Sequence, residues 1–248
     1  MNRKITVLAL ALLLPLDAAL AFKGFGAPDA SDPSRTSAAH SGMDMNHAGM
    51  KSDPKDNRPI GEKMIERLKE RLAKEPDNLP AWVMLANIYK SLDRNSEAAE
   101  ASATANQRMA AMAERLEKNP EIPDTLTLVD ACTMLGRYDD AVKAYARIEN
   151  QIGDDPDLLV DYAQTLARAN HQIMAGKPLE LVDRVLKSKP QHLEALLFAA
   201  AAALEAKDQD KARAYWETAL PLVEPNSELE QDLRNKIKQL EKGKGKGK

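Results

Sequence analysis

Ala81-Trp-Val-Met-Leu-Ala-Asn-Ile-Tyr89, with Ala98 and Ala105 beyond it, decides the fold. Counted from Leu79, the run sets Trp82, Leu85, Ala86 and Tyr89 at positions 4, 7, 8 and 11, then Ala98 and Ala105 at positions 20 and 27. Apolar residues three and four apart share one face of a helix. Small residues at 8 and 20 let two paired helices approach closely, while bulky ones at 4, 11 and 24 fill the space between one pair and the next.

The pattern recurs along the chain. A second unit offers Leu128, Gly136, Tyr138, Ala141 and Tyr145 at positions 7, 15, 17, 20 and 24, with Thr125 and Cys132 where aromatic residues are usual. A third carries Leu159, Tyr162, Ala163 and Leu166, and takes about three extra residues around His171 to Pro178 before a second helix over 179–188. A fourth has Leu196, Ala199, Ala200, Ala212, Trp216 and Ala219 at positions 4, 7, 8, 20, 24 and 27. A period of roughly 34 residues with this small and large alternation is the signature of the tetratricopeptide repeat (TPR). Pro76, Pro190 and Pro225 fall near unit boundaries, where proline ends one helix without breaking another. A helix over 62–73 precedes the units and one over 227–242 follows them, with Ser227 as its N-cap. The predicted fold is all-α, a TPR-like helical solenoid of about four helix pairs with flanking helices. Composition agrees, with 39 alanines and only 4% aromatic residues.

The two ends have a different character. Arg3 and Lys4, the apolar run from Ile5 to Leu16 and Ala19-Leu-Ala21 read as a signal peptide over 1–21, or as an anchor that stays uncleaved. The apolar core is shorter than the ~20 residues a membrane-spanning helix needs. Either form places the bulk of the chain in the periplasm, soluble or attached to the inner membrane. Residues 22–58 lack helical periodicity and form a tether, 59–242 form the TPR domain, and 243–248 are a Gly/Lys tail. A single cysteine excludes an intrachain disulfide, and a net charge of −3 gives no reason to expect a nucleic-acid surface.

Residues able to do chemistry are few. The tether holds His40, Met43, Met45, His47 and Met50, soft donors that suit cuprous ion. A flexible segment supplies no preformed cage, so copper there would be labile; the other reading is a solvated spacer. Cys132 falls at position 11 of the second unit, facing the partner helix, and reads as a buried small apolar residue. His171 and His192 read as surface residues without metal-like partners. No phosphate loop, nucleophile elbow or zinc-protease motif occurs in the sequence, and the chain is read as no enzyme. A helical repeat works through one face, lined by positions 5, 9 and 12 of each first helix. These are Val83, Asn87 and Lys90; Leu126, Asp130 and Thr133; Val160 and Gln164, with Ala167 and Arg168; and Leu197, Ala201 and Leu204. Apolar patches with scattered polar groups suit an amphipathic helix or an extended peptide.

Three stretches carry a family resemblance. The first is Met64-Ile-Glu-Arg-Leu-Lys-Glu-Arg-Leu-Ala-Lys-Glu-Pro-Asp-Asn78 with Ala81 to Ala86. The second is Asp155-Pro-Asp-Leu-Leu-Val-Asp-Tyr-Ala163 with Ala175-Gly-Lys-Pro-Leu-Glu-Leu-Val182. The third runs from Glu194-Ala-Leu-Leu-Phe198 through Ala212-Arg-Ala-Tyr-Trp-Glu217 to Pro225. Together they resemble the periplasmic TPR domain of c-type cytochrome biogenesis proteins of the CcmI/CycH and NrfG type. The resemblance implies a chaperone or adaptor that holds an apocytochrome c by its carboxy-terminal helix for the haem-ligation machinery. The larger relatives have two membrane segments before the repeats, whereas this sequence shows one short apolar segment. The alternative is a periplasmic interaction scaffold or a copper-handling accessory using the Met/His tether.

Overall fold

The computed structural model describes residues 58–244, with side chains through residue 241. Among the described residues there are ten α-helices and no strand. They are α1 (Ile60–Lys74), α2 (Leu79–Ser91), α3 (Asn95–Lys118), α4 (Ile122–Met134), α5 (Tyr138–Ile152), α6 (Pro156–Ala169), α7 (Lys177–Ser188), α8 (Leu193–Glu205), α9 (Gln209–Ala219) and α10 (Glu228–Lys244). The four expected pairs are α2/α3, α4/α5, α6/α7 and α8/α9, with α1 and α10 flanking them. The fold is all-α and TPR-like. The chain divides into two compact units, whose described parts are residues 58–151 and 152–244.

In the first unit α1 packs on α2, α2 on α3, and α4 on both α2 and α3. Its core joins Ile65, Leu68 and Leu72 of α1 to Ala81, Leu85, Ala86 and Tyr89 of α2 and to Ala98 and Ala101 of α3. The alanines at positions 8 and 20 thus do what the pattern predicts. Trp82 departs from it: the ring is only partly buried, its indole N–H donates to the Pro76 carbonyl at 2.9 Å, and the Arg108 guanidinium lies 5.9 Å from its centroid. α3 runs 24 residues, whereas the other second helices have 15, 12 and 11. No glycine or proline interrupts 95–119, so nothing stops the helix earlier.

In the second unit α6 packs on α7 and α8, α8 also on α7 and α9, and α9 on α10. Leu196, Leu197 and Ala200 of α8 meet Trp216 and Ala219 of α9 and Leu233 of α10. Ser227 does cap α10, its hydroxyl accepting from the Glu230 N–H at 3.2 Å. Asn78, Asp155, His192 and Asp208 cap α2, α6, α8 and α9 in the same way.

A shared tie fixes helices to the loop that precedes their pair. Arg108 in α3 reaches Asp77, Gln151 in α5 donates to the Pro120 carbonyl at 3.0 Å, and Arg184 in α7 donates to Asp154 at 2.7 Å and to the Gly153 carbonyl at 2.6 Å. Such exposed contacts contribute at most about 1 kcal/mol each, so they set registry more than stability.

The turn inside every pair has one geometry. The N–H groups of Arg94, Arg137, Gln172 and Asp208 bond to carbonyls five residues back, on Tyr89, Cys132, Ala167 and Ala203, at 2.7–2.9 Å. This closure requires left-handed backbone, found at Asp93, Gly136, His171, Gln172 and Lys207. Only one of these five is glycine. In the third pair the turn opens into a longer loop over 170–176, held by Met174, whose side chain is buried and whose N–H donates to Glu205 at 2.9 Å. Lysine is strained at a positive φ, whereas aspartate tolerates it better. Lys207→Gly should therefore stabilise the protein by about 1 kcal/mol and Asp93→Gly by less. Denaturant midpoints of the two variants check this, and a lower midpoint for Lys207→Gly refutes it.

Candidate peptide-binding surface

The stripe residues fall in both units. On α2 and α4, Asn87 and Lys90 are exposed, and Leu126, Asp130 and Thr133 are half-buried. On α6 and α8, Arg168 and Leu204 are half-buried, whereas Gln164, Ala167, Leu197 and Ala201 are buried. Val83 and Val160 are both 0% exposed, so position 5 of the first and third units is sealed and offers no open wall. Periodicity identified the face of each helix but not its depth. Every residue of α8 from Ala195 to Ala203 is buried, which no amphipathic pattern would indicate.

The structure changes the reading of His192. It is no surface residue: its side chain is 8% exposed, Nε2 lies 3.1 Å from Asp157 Oδ1 in the first turn of α6, and Nδ1 accepts the Ala195 N–H at 3.3 Å. With Nδ1 as acceptor, the proton sits on Nε2 and is donated to Asp157. The ring therefore links the starts of α6 and α8 while capping α8. Its place before the Leu193–Phe198 apolar run was the available signal, since a polar residue there is a capping position. His171 is exposed, as expected.

Cys132 is buried, and burial pushes its thiol up to about 11. No thiolate is available at neutral pH to act as nucleophile or soft ligand. Among the described residues no group of three or more His, Cys, Asp or Glu is placed to hold a metal ion. The candidate copper donors His40, Met43, Met45, His47 and Met50 lie outside the described residues. No described helix is long and apolar enough to cross a membrane.

Two buried side chains have unmet polar atoms where the sequence gave no warning of it. Thr125 Oγ1, at packing position 4 of α4, and Gln164 Nε2, at position 9 of α6, have no hydrogen-bond partner. The first follows from the degenerate second unit, where threonine replaces a bulky apolar residue. The second belongs to the stripe.

Paired helices with alanine contacts, glycine-like turns and the inserted loop of the third pair are now in place. The family model for the cytochrome c-type biogenesis protein H TPR domain matches residues 106–230. The chain belongs to this family. The matched span begins within α3 and ends in the first turn of α10. Two of the three resemblance stretches fall inside it, and the one over 64–86 lies outside. No curated protein matches the chain. As a TPR domain of the cytochrome c-type biogenesis protein H family, the chain acts by protein–protein contact in c-type cytochrome maturation.

Proposed function

We propose that this TPR domain holds the carboxy-terminal helix of an apocytochrome c, outside the cytoplasm, and presents the unfolded client to the haem-ligation machinery without performing chemistry itself. The observation that carries this reading is the family match over 106–230, which contains the α6 and α8 stripe residues. An apolar wall of Leu197, Ala201 and Leu204 beside the polar groups of Gln164 and Arg168 suits an amphipathic helix. The Cys-x-x-Cys-His haem site belongs to the client, and the buried, protonated thiol of Cys132 plays no part in ligation.

Calorimetric titration of the chain lacking residues 1–21 with peptides from apocytochrome carboxy termini tests the reading. Micromolar or tighter binding is expected, with at least tenfold weaker binding of scrambled peptides. Equal affinity for both peptides would refute it. An export-dependent reporter fused after residue 241 should be active, in keeping with a periplasmic domain.

A further inference from the structure

Gln164 and Thr165 are neighbours on α6, and each is only 6% exposed. Thr165 is satisfied within its own helix, its hydroxyl donating to the Asp161 carbonyl at 2.8 Å. Gln164 is not: its Nε2 is buried with no hydrogen-bond partner. More than nine in ten buried polar groups in folded proteins are paired, and an unmet one costs free energy that a well-packed apolar side chain would not. Such a violation of the packing rules is expected where a function needs it. Gln164 lies one helical turn from Val160 on one side and from Arg168 on the other, and α6 packs against α8, which carries Leu197 and Ala201. The unmet donor therefore sits at the one buried polar position in an otherwise apolar part of the stripe.

We infer that the Gln164 side-chain amide is a specificity-determining donor that reads a main-chain carbonyl or carboxyl oxygen of the bound segment. The inference rests on the peptide-holding reading above and assigns it a residue. The chemistry matches the client end proposed there. The last four carbonyls of a helix have no partner within that helix, and a chain terminus adds a carboxylate. A neutral amide donor satisfies either oxygen, and the Arg168 cation one turn away favours the negative end of a helix dipole. The apolar neighbours exclude water, which makes the single hydrogen bond discriminating: a ligand without an acceptor there leaves the amide unmet.

Two variants of the chain lacking residues 1–21 test this against one apocytochrome carboxy-terminal peptide, made as free acid and as carboxy-terminal amide. Gln164→Met keeps the length of the side chain and removes the donor. It should melt at or above the wild-type temperature and bind at least tenfold more weakly. Gln164→Glu, which sets an acceptor against an acceptor, should bind more weakly still. A loss shared by both peptides identifies an internal carbonyl as the contact; a loss confined to the free acid identifies the terminal carboxylate. Wild-type affinity in Gln164→Met overturns the inference. So does a melting temperature several degrees below wild type, which would mean the amide already has a structural role in the free protein. No binding by the wild type would overturn the apocytochrome reading itself, an outcome distinct from a wild type that binds and a Gln164→Met variant that binds equally.

Discussion

Phe198→Ala should lower the unfolding free energy of the second unit by about 3–5 kcal/mol, the usual cost of removing a buried aromatic side chain. Phe198 is 0% exposed and lies in the middle of α8, the helix whose nine consecutive residues from Ala195 are all buried. The lost ring takes its transfer free energy with it and leaves a cavity that the stiff, alanine-rich surroundings cannot collapse to fill. For a domain of this size the drop corresponds to a melting temperature lower by roughly 10 °C. The chain has two tryptophans, one in each unit, so a Trp82→Phe background leaves Trp216 as reporter of the second unit. Urea titration followed by Trp216 fluorescence measures the change. A loss below about 1 kcal/mol would show that α8 is not packed as described.

The opposite error should be nearly as damaging. Ala200 at position 8 of α8 and Ala212 at position 20 of α9 are both fully buried, in a pair of helices in close contact. Ala200→Leu adds three carbons where no volume exists, so the helices must separate or the side chain must leave its rotamer wells. A cost of about 3 kcal/mol or somewhat more is expected, at the upper end for overpacking. Ala214→Leu on the exposed side of α9 is the control and should change stability by less than about 0.5 kcal/mol. The same urea titration distinguishes them. Similar midpoints for both variants would contradict the claim that small residues at positions 8 and 20 set the helix spacing.

These two variants bear on what could be read without coordinates. Ala200 and Ala212 were legible because their spacing repeats at Ala86 and Ala98, and a repeated small residue has a repeated steric cause. The α10 cap at Ser227 and the prolines near unit boundaries were legible for the same local reason: capping and helix termination depend on residues a few positions apart. The inserted loop of the third pair was legible as an interruption of register, but its anchor was not. The Met174 N–H meets Glu205, thirty-one residues later, and no local pattern encodes that contact.

The sequence by itself determined the all-α class, the four helix pairs, the alanine contacts between paired helices and the resemblance that the family match bears out. Only the tertiary structure decided how deep each face lies. Val83 and Val160 are closed off, Trp82 stays at an edge, His192 serves as a buried cap, and Gln164 is left with an unmet donor. The physical reason is that helical period is a property of one segment, set by 3.6 residues per turn. Burial and hydrogen-bond satisfaction are sums over neighbours supplied by helices thirty or more residues away, so they become definite only when those helices are packed together.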